Sequence, residues 1–328
     1  MAEKTLSIEK PWNWKQFFFQ WEWLLALIFI LVIFINSTIS PFFLYADTLL
    51  NAPRNFLDKA FIVFPMMMVI ILGKIDISVS SNVVLTSVLM AVMYNAGLPM
   101  QLAIVAALFI GTILGGITSL LQIQFPELPA MIVTLSTMTI YRGIAYVILR
   151  DQASGGFPDW FMYFAWGNVG PIPFILVAFI VAAIIFGIVI HKTGFGRTLY
   201  GIGNNYLACK YSGIKTDRIL MIVGLLTGLM CAVCAIFLTS RMGSTRPNVA
   251  IGYELEVIAM VVLGGVSTSG GKGRIAGPIL AIFIIGFLEF GLGLINIPAQ
   301  MTLIILGLLL ILSVLVMNLR SSKGKMSA

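Results

Sequence analysis

The segment of this 328-residue chain that most resembles a chemical site is Gly270-Gly271-Lys272-Gly273, in which glycines surround a lysine. A phosphate-binding Walker A loop has a glycine five residues before its Gly-Lys pair and a serine or threonine directly after the lysine. Val266 and Gly273 occupy those two positions here. The spacing excludes a Walker A site in this segment, so if ATP powers the protein, another subunit must bind it.

Cysteine and histidine could supply metal ligands or a nucleophile. Cys231 and Cys234 form a Cys-x-x-Cys pair, but it lies in an apolar run without a second pair. Such cysteines are typical of small apolar residues in a buried helix. His191 is the only histidine in the sequence. Because no Ser/His/Asp, HExxH or paired-carboxylate arrangement is present, the sequence predicts no catalytic residue, no metal and no cofactor.

A few polar side chains interrupt the apolar stretches. Ionisable groups inside a membrane are costly and tend to line an aqueous path or to pair with one another. We expect these residues to lie along a translocation path or, alternatively, in structural ion pairs and at membrane interfaces. The candidates are Asp76, Asn82, Arg142, Glu254, Glu256 and Glu289.

Residues 192–218 form a polar, basic stretch. Asn204 or Asn205 is predicted to cap a short helix that Gly213 ends, and the glycines before it are predicted to let the chain fold tightly. A short helix along the membrane would give a cytoplasmic partner a surface to bind, whereas the alternative is an ordinary positively charged loop. The residues predicted for this contact are Gly194, Gly196, Arg197, Gly201, Gly203, Asn204, Leu207, Lys210 and Gly213.

Composition indicates the setting of these segments. Hydrophobic residues make up 59% of the chain and charged residues 10%, too few charges to cover a soluble domain of this length. The apolar residues form runs of roughly 20, which cross a lipid bilayer as helices because lipid offers the backbone no hydrogen bonds. The sequence therefore predicts an all-α polytopic membrane protein.

About ten transmembrane helices are predicted. They form one permease domain, 24–319, between an N-terminal cytoplasmic segment, 1–23, and a cytoplasmic tail, 320–328. The eighth span is short for a full crossing and is predicted to be broken or partly re-entrant. The spans are 24–40, 56–72, 80–96, 100–122, 130–149, 173–191, 219–240, 255–267, 275–294 and 299–319.

Lysines and arginines indicate the orientation of the chain. With ten spans both termini share one side, and that side holds most of the basic residues, including those of 192–218. Both termini are therefore predicted to be cytoplasmic. The formal net charge of +7 is a topology signal and gives no support to nucleic-acid binding.

A weak internal repeat is a further interpretation. Residues 97–101 and the apolar run after them resemble residues 296–301 and the run that follows. Both segments would run in the same direction, so spans 2–4 and 8–10 would be related as parallel repeats. Chance similarity between apolar segments is the alternative.

Four segments resemble the membrane subunits of ribose-type ABC sugar importers: residues 72–81, 128–146, 191–214 and 252–281. They follow the order and similar spacing of that family and extend over nearly the whole chain. The resemblance implies a bacterial inner-membrane permease subunit that carries a monosaccharide or related small sugar and catalyses no reaction. It also implies that the loop 192–218 couples the permease to its ATPase.

The partners that the resemblance implies are a tandem-cassette ATPase, a periplasmic sugar-binding protein and a second permease, either an identical copy or a paralogue. The chain departs from the family at two places. Lys74 and Ser80 replace usual glycines, and Tyr206 and Leu207 stand where many members carry charged residues. We therefore expect the turn near Lys74 and the docking contacts to differ in detail.

Other function classes stay open on the sequence alone. ABC permeases for nucleosides or branched-chain amino acids are the nearest alternatives. A secondary transporter would need no partner, but it should show a clearer charged or ion-binding site at the membrane midplane. A membrane enzyme would need a catalytic constellation near one interface, which the sequence lacks.

Overall fold

The computed structural model describes residues 21–297 together with residues 301, 304, 305, 307, 308 and 311. Most of the N-terminal segment, most of the predicted tenth span and the tail therefore lie outside the described residues. The predicted repeat falls partly outside them as well, because its second copy begins at residue 296.

The described chain is built of helices joined by short connections. The first nine predicted spans each contain one of these helices, at nearly the predicted positions. In chain order the helices are α1 (Trp21–Ile39), α2 (Ala46–Asn51), α3 (Leu57–Ile71), α4 (Val79–Asn95), α5 (Met100–Gln124), α6 (Ala130–Leu149), α7 (Tyr163–Trp166), α8 (Phe174–Lys192), α9 (Gly194–Asn204), α10 (Tyr206–Tyr211), α11 (Thr216–Met242), α12 (Tyr253–Leu263) and α13 (Ala276–Leu294). Two short 3-10 turns, 52–55 and 159–162, complete the helical elements of this part of the chain.

Helix length separates these elements into two groups. By length and composition α1, α5, α6, α8, α11 and α13 can each cross a membrane. The helices α3, α4 and α12 have 15, 17 and 11 residues. At about 1.5 Å per residue α12 extends over about 16 Å, roughly half of a hydrocarbon core. The all-α membrane fold and the short eighth element agree with the predictions, whereas the count of ten crossings is not confirmed.

Strand structure in the described residues is confined to two small antiparallel pairs. The strand β1 (Ser154–Gly155) pairs with β4 (Ser244–Thr245), and β2 (Asn168–Val169) pairs with β3 (Ile172–Pro173). The first pair joins the segment after α6 to the segment after α11. The strands thus fix the connections at the end of the bundle where α6 and α11 finish.

The core forms where α3 and α11 lie among the other helices. Every residue of α3 is buried, and the ring of Phe61 stacks on that of Phe237 in α11 with centroids 5.0 Å apart. Cys231 and Cys234 are free and fully buried in α11. Their predicted role as small residues of a buried helix is therefore confirmed.

The helices α5 and α11 approach each other through glycines. A Cβ at Gly111 would lie 2.7 Å from Cβ of Ala232 and 2.8 Å from the carbonyl oxygen of Gly228. Gly115 likewise faces Gly224 and Gly228. Small residues four apart on both helices let the backbones come together, as is typical of membrane helix contacts.

Candidate functional site: a helix pair and a buried charge cluster

Residues 192–218 fold into two short helices and a turn. Thr193 caps α9, its hydroxyl accepting a hydrogen bond from the Gly196 amide at 3.3 Å. Asn205 caps α10, its Oδ1 accepting from the Ala208 amide at 2.9 Å. Gly213, with φ of +81°, follows the end of α10. The predicted short helix and its end are confirmed, and Asn205 rather than Asn204 is the cap.

Two of the glycines that were predicted to let the chain fold tightly, Gly196 and Gly203, allow close contact between backbones. Gly194, Gly196, Gly201 and Gly203 all lie within the helix α9. A Cβ at Gly196 would collide with the backbone of Ile190, and one at Gly203 would collide with the backbones of two other segments. Helix α9 can therefore lie against the bundle only because Gly196 and Gly203 lack side chains, whereas a Cβ at Gly194 or Gly201 would make ordinary contacts.

The contacts of α9 define a junction of three segments, here called the α9 junction: the end of α3, the end of α9, and the segment 264–275 between α12 and α13. The amide of Gly271 donates to the carbonyl oxygen of Ile71 at 2.8 Å. The Asn204 amide group donates to the Gly271 carbonyl at 3.3 Å, and the Tyr200 hydroxyl donates to the Gly273 carbonyl at 2.7 Å. The glycine-rich segment, which does not match the Walker A pattern, therefore accepts hydrogen bonds from α9.

His191 adds to this junction. Its Nε2 accepts a hydrogen bond from the Ile275 amide at 3.3 Å, and its ring stacks on that of Tyr200 with centroids 6.4 Å apart. Burial raises the pKa of the Tyr200 hydroxyl, so this group stays a hydrogen-bond donor at neutral pH. The histidine thus positions two segments at the end of α8.

The helix α10 presents its side chains away from the described bundle. None of its six residues is buried, and the side chains of Leu207 and Tyr211 are 60% and 88% exposed. The Lys210 ammonium lies 6.0 Å from the centroid of the Tyr206 ring. An exposed leucine between two tyrosines and a lysine is a surface suited to a protein partner. Arg197 lies on the preceding helix and is also exposed.

A cavity of about 440 Å³ opens beside α10. Its wall includes Lys74, Gln122, Tyr206 and Asp217. The Lys74 ammonium donates to Oε1 of Gln122 at 3.2 Å. Burial lowers the pKa of Lys74, and the nearby Asp217 carboxylate acts in the opposite direction. The lysine that replaces a usual family glycine therefore joins the α3–α4 connection to α5.

A cluster of buried charges lies at the opposite end of α3. The Lys59 ammonium pairs with the carboxylate of Glu256 in α12 and with that of Glu289 in α13, the latter at 2.6 Å. Beside it, Asp58 accepts from Arg241 of α11 at 2.8 Å and from the Tyr253 hydroxyl at 3.1 Å. Two predicted candidates, Glu256 and Glu289, are thus brought together by one lysine.

Sequence reasoning missed Asp58, Lys59 and Arg241. The sequence feature that could have revealed them is the Asp-Lys pair directly inside the second apolar run, since two adjacent charges there must find partners. The partners stand 183, 197 and 230 positions away along the chain. Only the tertiary arrangement reveals which charges meet.

Arg142 and Glu254 lie near each other outside that cluster. Nη1 of Arg142 donates to the carbonyl oxygens of Pro247 and Val249 at 3.2 and 3.4 Å, and its Nε donates to the Ser81 hydroxyl at 3.3 Å. Glu254 is close enough to attract the guanidinium electrostatically, and its Oε2 is buried without a hydrogen-bond partner among the described residues. Arg142 therefore joins α6 to the connection before α12.

Asp76 and Asn82 occupy separate places. Asp76 accepts from the amide and the hydroxyl of Ser78, at 2.8 and 2.6 Å, in the connection between α3 and α4. Burial raises the pKa of its carboxyl, while these two hydrogen bonds lower it. Asn82 donates to the Gly111 carbonyl at 3.1 Å, between α4 and α5. The six predicted path residues therefore do not form one cluster.

The helix α6 carries an exposed polar stripe that begins before its midpoint. Ser136, Thr139, Gly143 and Tyr146, at spacings of three and four, project to one side, and Arg150 follows directly after the helix; all five are exposed. The hydroxyls of Ser136 and Thr139 donate to carbonyls of their own helix. Next to the stripe, isoleucine and valine side chains are exposed as on a lipid-facing surface.

Known proteins match nearly the whole chain. The family model described as "Branched-chain amino acid transport system / permease component" matches residues 51–314. The ribose import permease protein of Haemophilus influenzae is 36% identical over 298 residues, covering 90% of this chain and 92% of the relative. That of Bacillus subtilis is 38% identical over 297 residues, with 90% and 92% covered. No solved structure matches.

A third relative broadens the set. The autoinducer 2 import system permease protein of Yersinia enterocolitica is 34% identical over 300 residues, covering 90% of each chain. The helical bundle with its apolar exterior is that of a multi-pass inner-membrane protein of the permease class. The chain belongs to the family of ABC importer permeases that includes these ribose and autoinducer 2 import proteins. The predicted ribose-type family is thereby confirmed.

Proposed function

We propose that this chain is the permease subunit that carries a monosaccharide or related small sugar across the inner membrane. The observation that carries the proposal is the identity of 36% and 38% to two ribose import permeases, each over 90% of this chain. The family model's match, residues 51–314, includes the α9 junction and the buried charge cluster. The chain itself would supply the path, and a partner would supply ATP hydrolysis.

The description of the matching family favours a second candidate, import of branched-chain amino acids. An amino acid carries a fixed ammonium and a fixed carboxylate, whereas a monosaccharide is neutral. The exposed stripe of α6 carries hydroxyl groups at Ser136, Thr139 and Tyr146 and a charge only at its end, Arg150. Hydroxyl groups suit a polyhydroxyl solute, and the Arg142 guanidinium beside the path is already engaged by the carbonyl oxygens of Pro247 and Val249, so the stripe favours the sugar.

The implied partners have places to bind. A tandem-cassette ATPase would contact α10 through Leu207 and Lys210, with Arg197 on the neighbouring helix. Gly196, Gly203 and Asn204 would hold that helix pair against the bundle and Gly213 would end it, while Gly194 and Gly201 lie on the same helix α9. A periplasmic sugar-binding protein would deliver solute at the opposite end. This arrangement requires that residues 192–218 and both termini face the cytoplasm and that the chain crosses the membrane about ten times.

A second permease, identical or paralogous, would complete the path. Polar groups exposed on a membrane helix are costly in lipid, so the stripe of α6 would face the other copy across an aqueous path. Arg142 and Glu254 would border that path. Asp76, Asn82, Glu256 and Glu289 would hold the helices around it.

The test is reconstitution in proteoliposomes with the ATPase and the binding protein of the same importer. Uptake of radiolabelled D-ribose that needs ATP and all subunits is expected, with no competition from excess L-leucine. Uptake of leucine instead would favour the second candidate. ATP hydrolysis by the rigorously purified chain alone would contradict the assignment, because its sequence contains no Walker A segment.

A further inference from the structure

The eleven-residue helix α12 is flanked by two segments, and a different helix holds each of them. The segment after α12 receives hydrogen bonds from α9, through Tyr200 to Gly273 at 2.7 Å and through Asn204 to Gly271 at 3.3 Å. The segment before α12, residues 246–252, receives hydrogen bonds from Arg142 of α6. The helix α12 therefore stands between α9 and α6.

The interior of α12 is closely packed inside the bundle. All of its residues from Glu256 to Leu263 are buried. Glu256 shares the Lys59 ammonium with Glu289, so α12 is joined to α3 and α13 by one buried group. Since close-packed interiors transmit displacement and compress little, a shift at one end of so short a helix reaches the other end.

Arg142 is the contact on the α6 side. Its planar guanidinium reaches the carbonyl oxygens of Pro247 and Val249 and the Ser81 hydroxyl at once. A lysine would keep the charge but lose this fixed fork of donors. The same helix α6 carries the polar stripe, so the position of the stripe relative to residues 246–252 depends on Arg142.

We propose that α12 is a strut that transmits displacement of α9 to α6, with Tyr200 and Arg142 as the positioning residues at its two ends. The proposal rests on the proposed function, in which the α9–α10 pair binds the ATPase and α6 lines the path. A displacement of α9 moves residues 271–273, then α12, then residues 247–249. Through Arg142 it then moves the stripe of α6.

The first test needs neither ATPase nor sugar. Tyr200→Phe removes one hydroxyl from the α9 junction of the purified full-length chain. Amide hydrogen exchange is expected to rise in residues 264–275 and also in residues 246–252, beyond α12. Tyr211→Phe, at a side chain 88% exposed on α10, is the matched control and should change neither segment. An increase confined to residues 264–275 would overturn the strut, whatever the protein transports.

The second test measures sugar molecules imported per ATP hydrolysed by the complete importer in proteoliposomes. Arg142→Lys and Tyr200→Phe should each lower this ratio by about ten-fold, the scale of a typical coupling free energy. The double variant should be no worse than the more affected single variant, because both changes interrupt one connection.

A control variant and the separate rates of uptake and hydrolysis distinguish the strut from a purely structural role of Arg142. Gln152→Asn, at an exposed position shortly after α6, should leave the ratio unchanged. A merely structural role for Arg142 would lower uptake and hydrolysis together and leave their ratio at the wild-type value, which would overturn the inference. A wild-type importer that carries leucine and no ribose would contradict the proposed sugar. The strut would then be tested by the number of leucine molecules imported per ATP hydrolysed.

Discussion

Lys59 is the residue on which the buried charges of this membrane protein depend. Its side chain is 6% exposed, and it faces the carboxylates of Glu256 and Glu289. Removing charges from water costs several kcal/mol per ion, so each of these groups is tolerable only beside an opposite charge. One lysine between two carboxylates leaves no spare partner, and the cluster is therefore sensitive to loss of the lysine.

We predict that Lys59→Met destabilises the folded protein by about 3–5 kcal/mol, since it leaves two buried carboxylates unpaired. Thermal unfolding of the detergent-solubilised protein, followed by loss of the monodisperse fraction, measures this. Glu256→Gln should have a smaller effect, because Lys59 keeps the carboxylate of Glu289. The triple variant Lys59→Met/Glu256→Gln/Glu289→Gln should recover part of the loss; a triple variant less stable than Lys59→Met would contradict the explanation.

At this scale the sequence revealed which residues are unusual but not which residues they meet. Arg142 stands out because a charge interrupts an apolar run. Two of its three partners are carbonyl oxygens 105 and 107 positions away, and backbone oxygens carry no signal in a sequence. Lys59 was overlooked because charges near the end of an apolar run resemble an interfacial pair.

At the scale of the element, the glycines of α9 decide where this helix lies. Alanine is favoured over glycine inside a helix by about 1 kcal/mol, so propensity alone favours replacement. A Cβ at Gly203 would meet the carbonyl of Ile71 and the amide nitrogen of Gly271. These backbone atoms cannot rotate away, and overpacking costs about 1–3 kcal/mol. The collision therefore outweighs the gain in propensity.

Gly203→Ala is predicted to displace α9 and to reduce sugar uptake while the protein still inserts in the membrane. Gly194→Ala is the matched control in the same helix, since its Cβ would meet only the flexible end of Arg197 at 3.7 Å. Uptake by cells, normalised to the amount of protein in the membrane, measures both variants. Equal uptake by the two would show that the α9 junction tolerates the added methyl group.

Helix boundaries were the most predictable feature of the fold. Pro99, Pro129 and Pro173 directly precede α5, α6 and α8. Because proline has a fixed φ and no N–H, it interrupts the secondary structure that precedes it. Asparagine and glycine likewise marked both ends of α10. The helix α9 was not predicted, because four glycines in eleven residues oppose a helix by propensity and only packing against other segments favours it.

The exposed surface of α10 gives a prediction about the partner. Leu207→Asp places a charge on a side chain that is 60% exposed in the isolated chain and would be buried against an ATPase. Burying an unpaired carboxylate costs several kcal/mol, enough to remove most of the docking affinity. Co-purification of the ATPase and sugar uptake should both be lost, with membrane insertion unchanged.

The matched control for Leu207→Asp is Gln152→Asp, which introduces the same charge at an exposed position at the opposite end of the bundle. It should retain the ATPase. Retention of the ATPase and of full uptake by Leu207→Asp itself would place the docking surface elsewhere and leave residues 192–218 as a connector.

At the scale of the whole molecule, the two ends of the short central helix α3 carry different groups of residues. The α9 junction and α10 lie at one end of α3, and the buried charges lie at the other, 12 residues away from Lys59 to Ile71. At about 1.5 Å per residue that separation is about 18 Å, well below the roughly 30 Å of a hydrocarbon core. A central helix this short leaves part of the hydrocarbon thickness to be spanned by other segments at each end.

The orientation of those two ends gives the last prediction. Most lysines and arginines fall on the side of residues 192–218, so that side is predicted to be cytoplasmic. In a Cys209→Ser background, Lys215→Cys in intact cells should resist a membrane-impermeant maleimide and react after permeabilisation. Gln152→Cys, at the opposite end, should react in intact cells, provided the outer membrane admits the reagent. Both positions are exposed in the folded chain, so access from one side of the membrane alone decides the result. Labelling of Lys215→Cys in intact cells, with Gln152→Cys protected, would invert the orientation and remove α10 from the reach of any cytoplasmic ATPase.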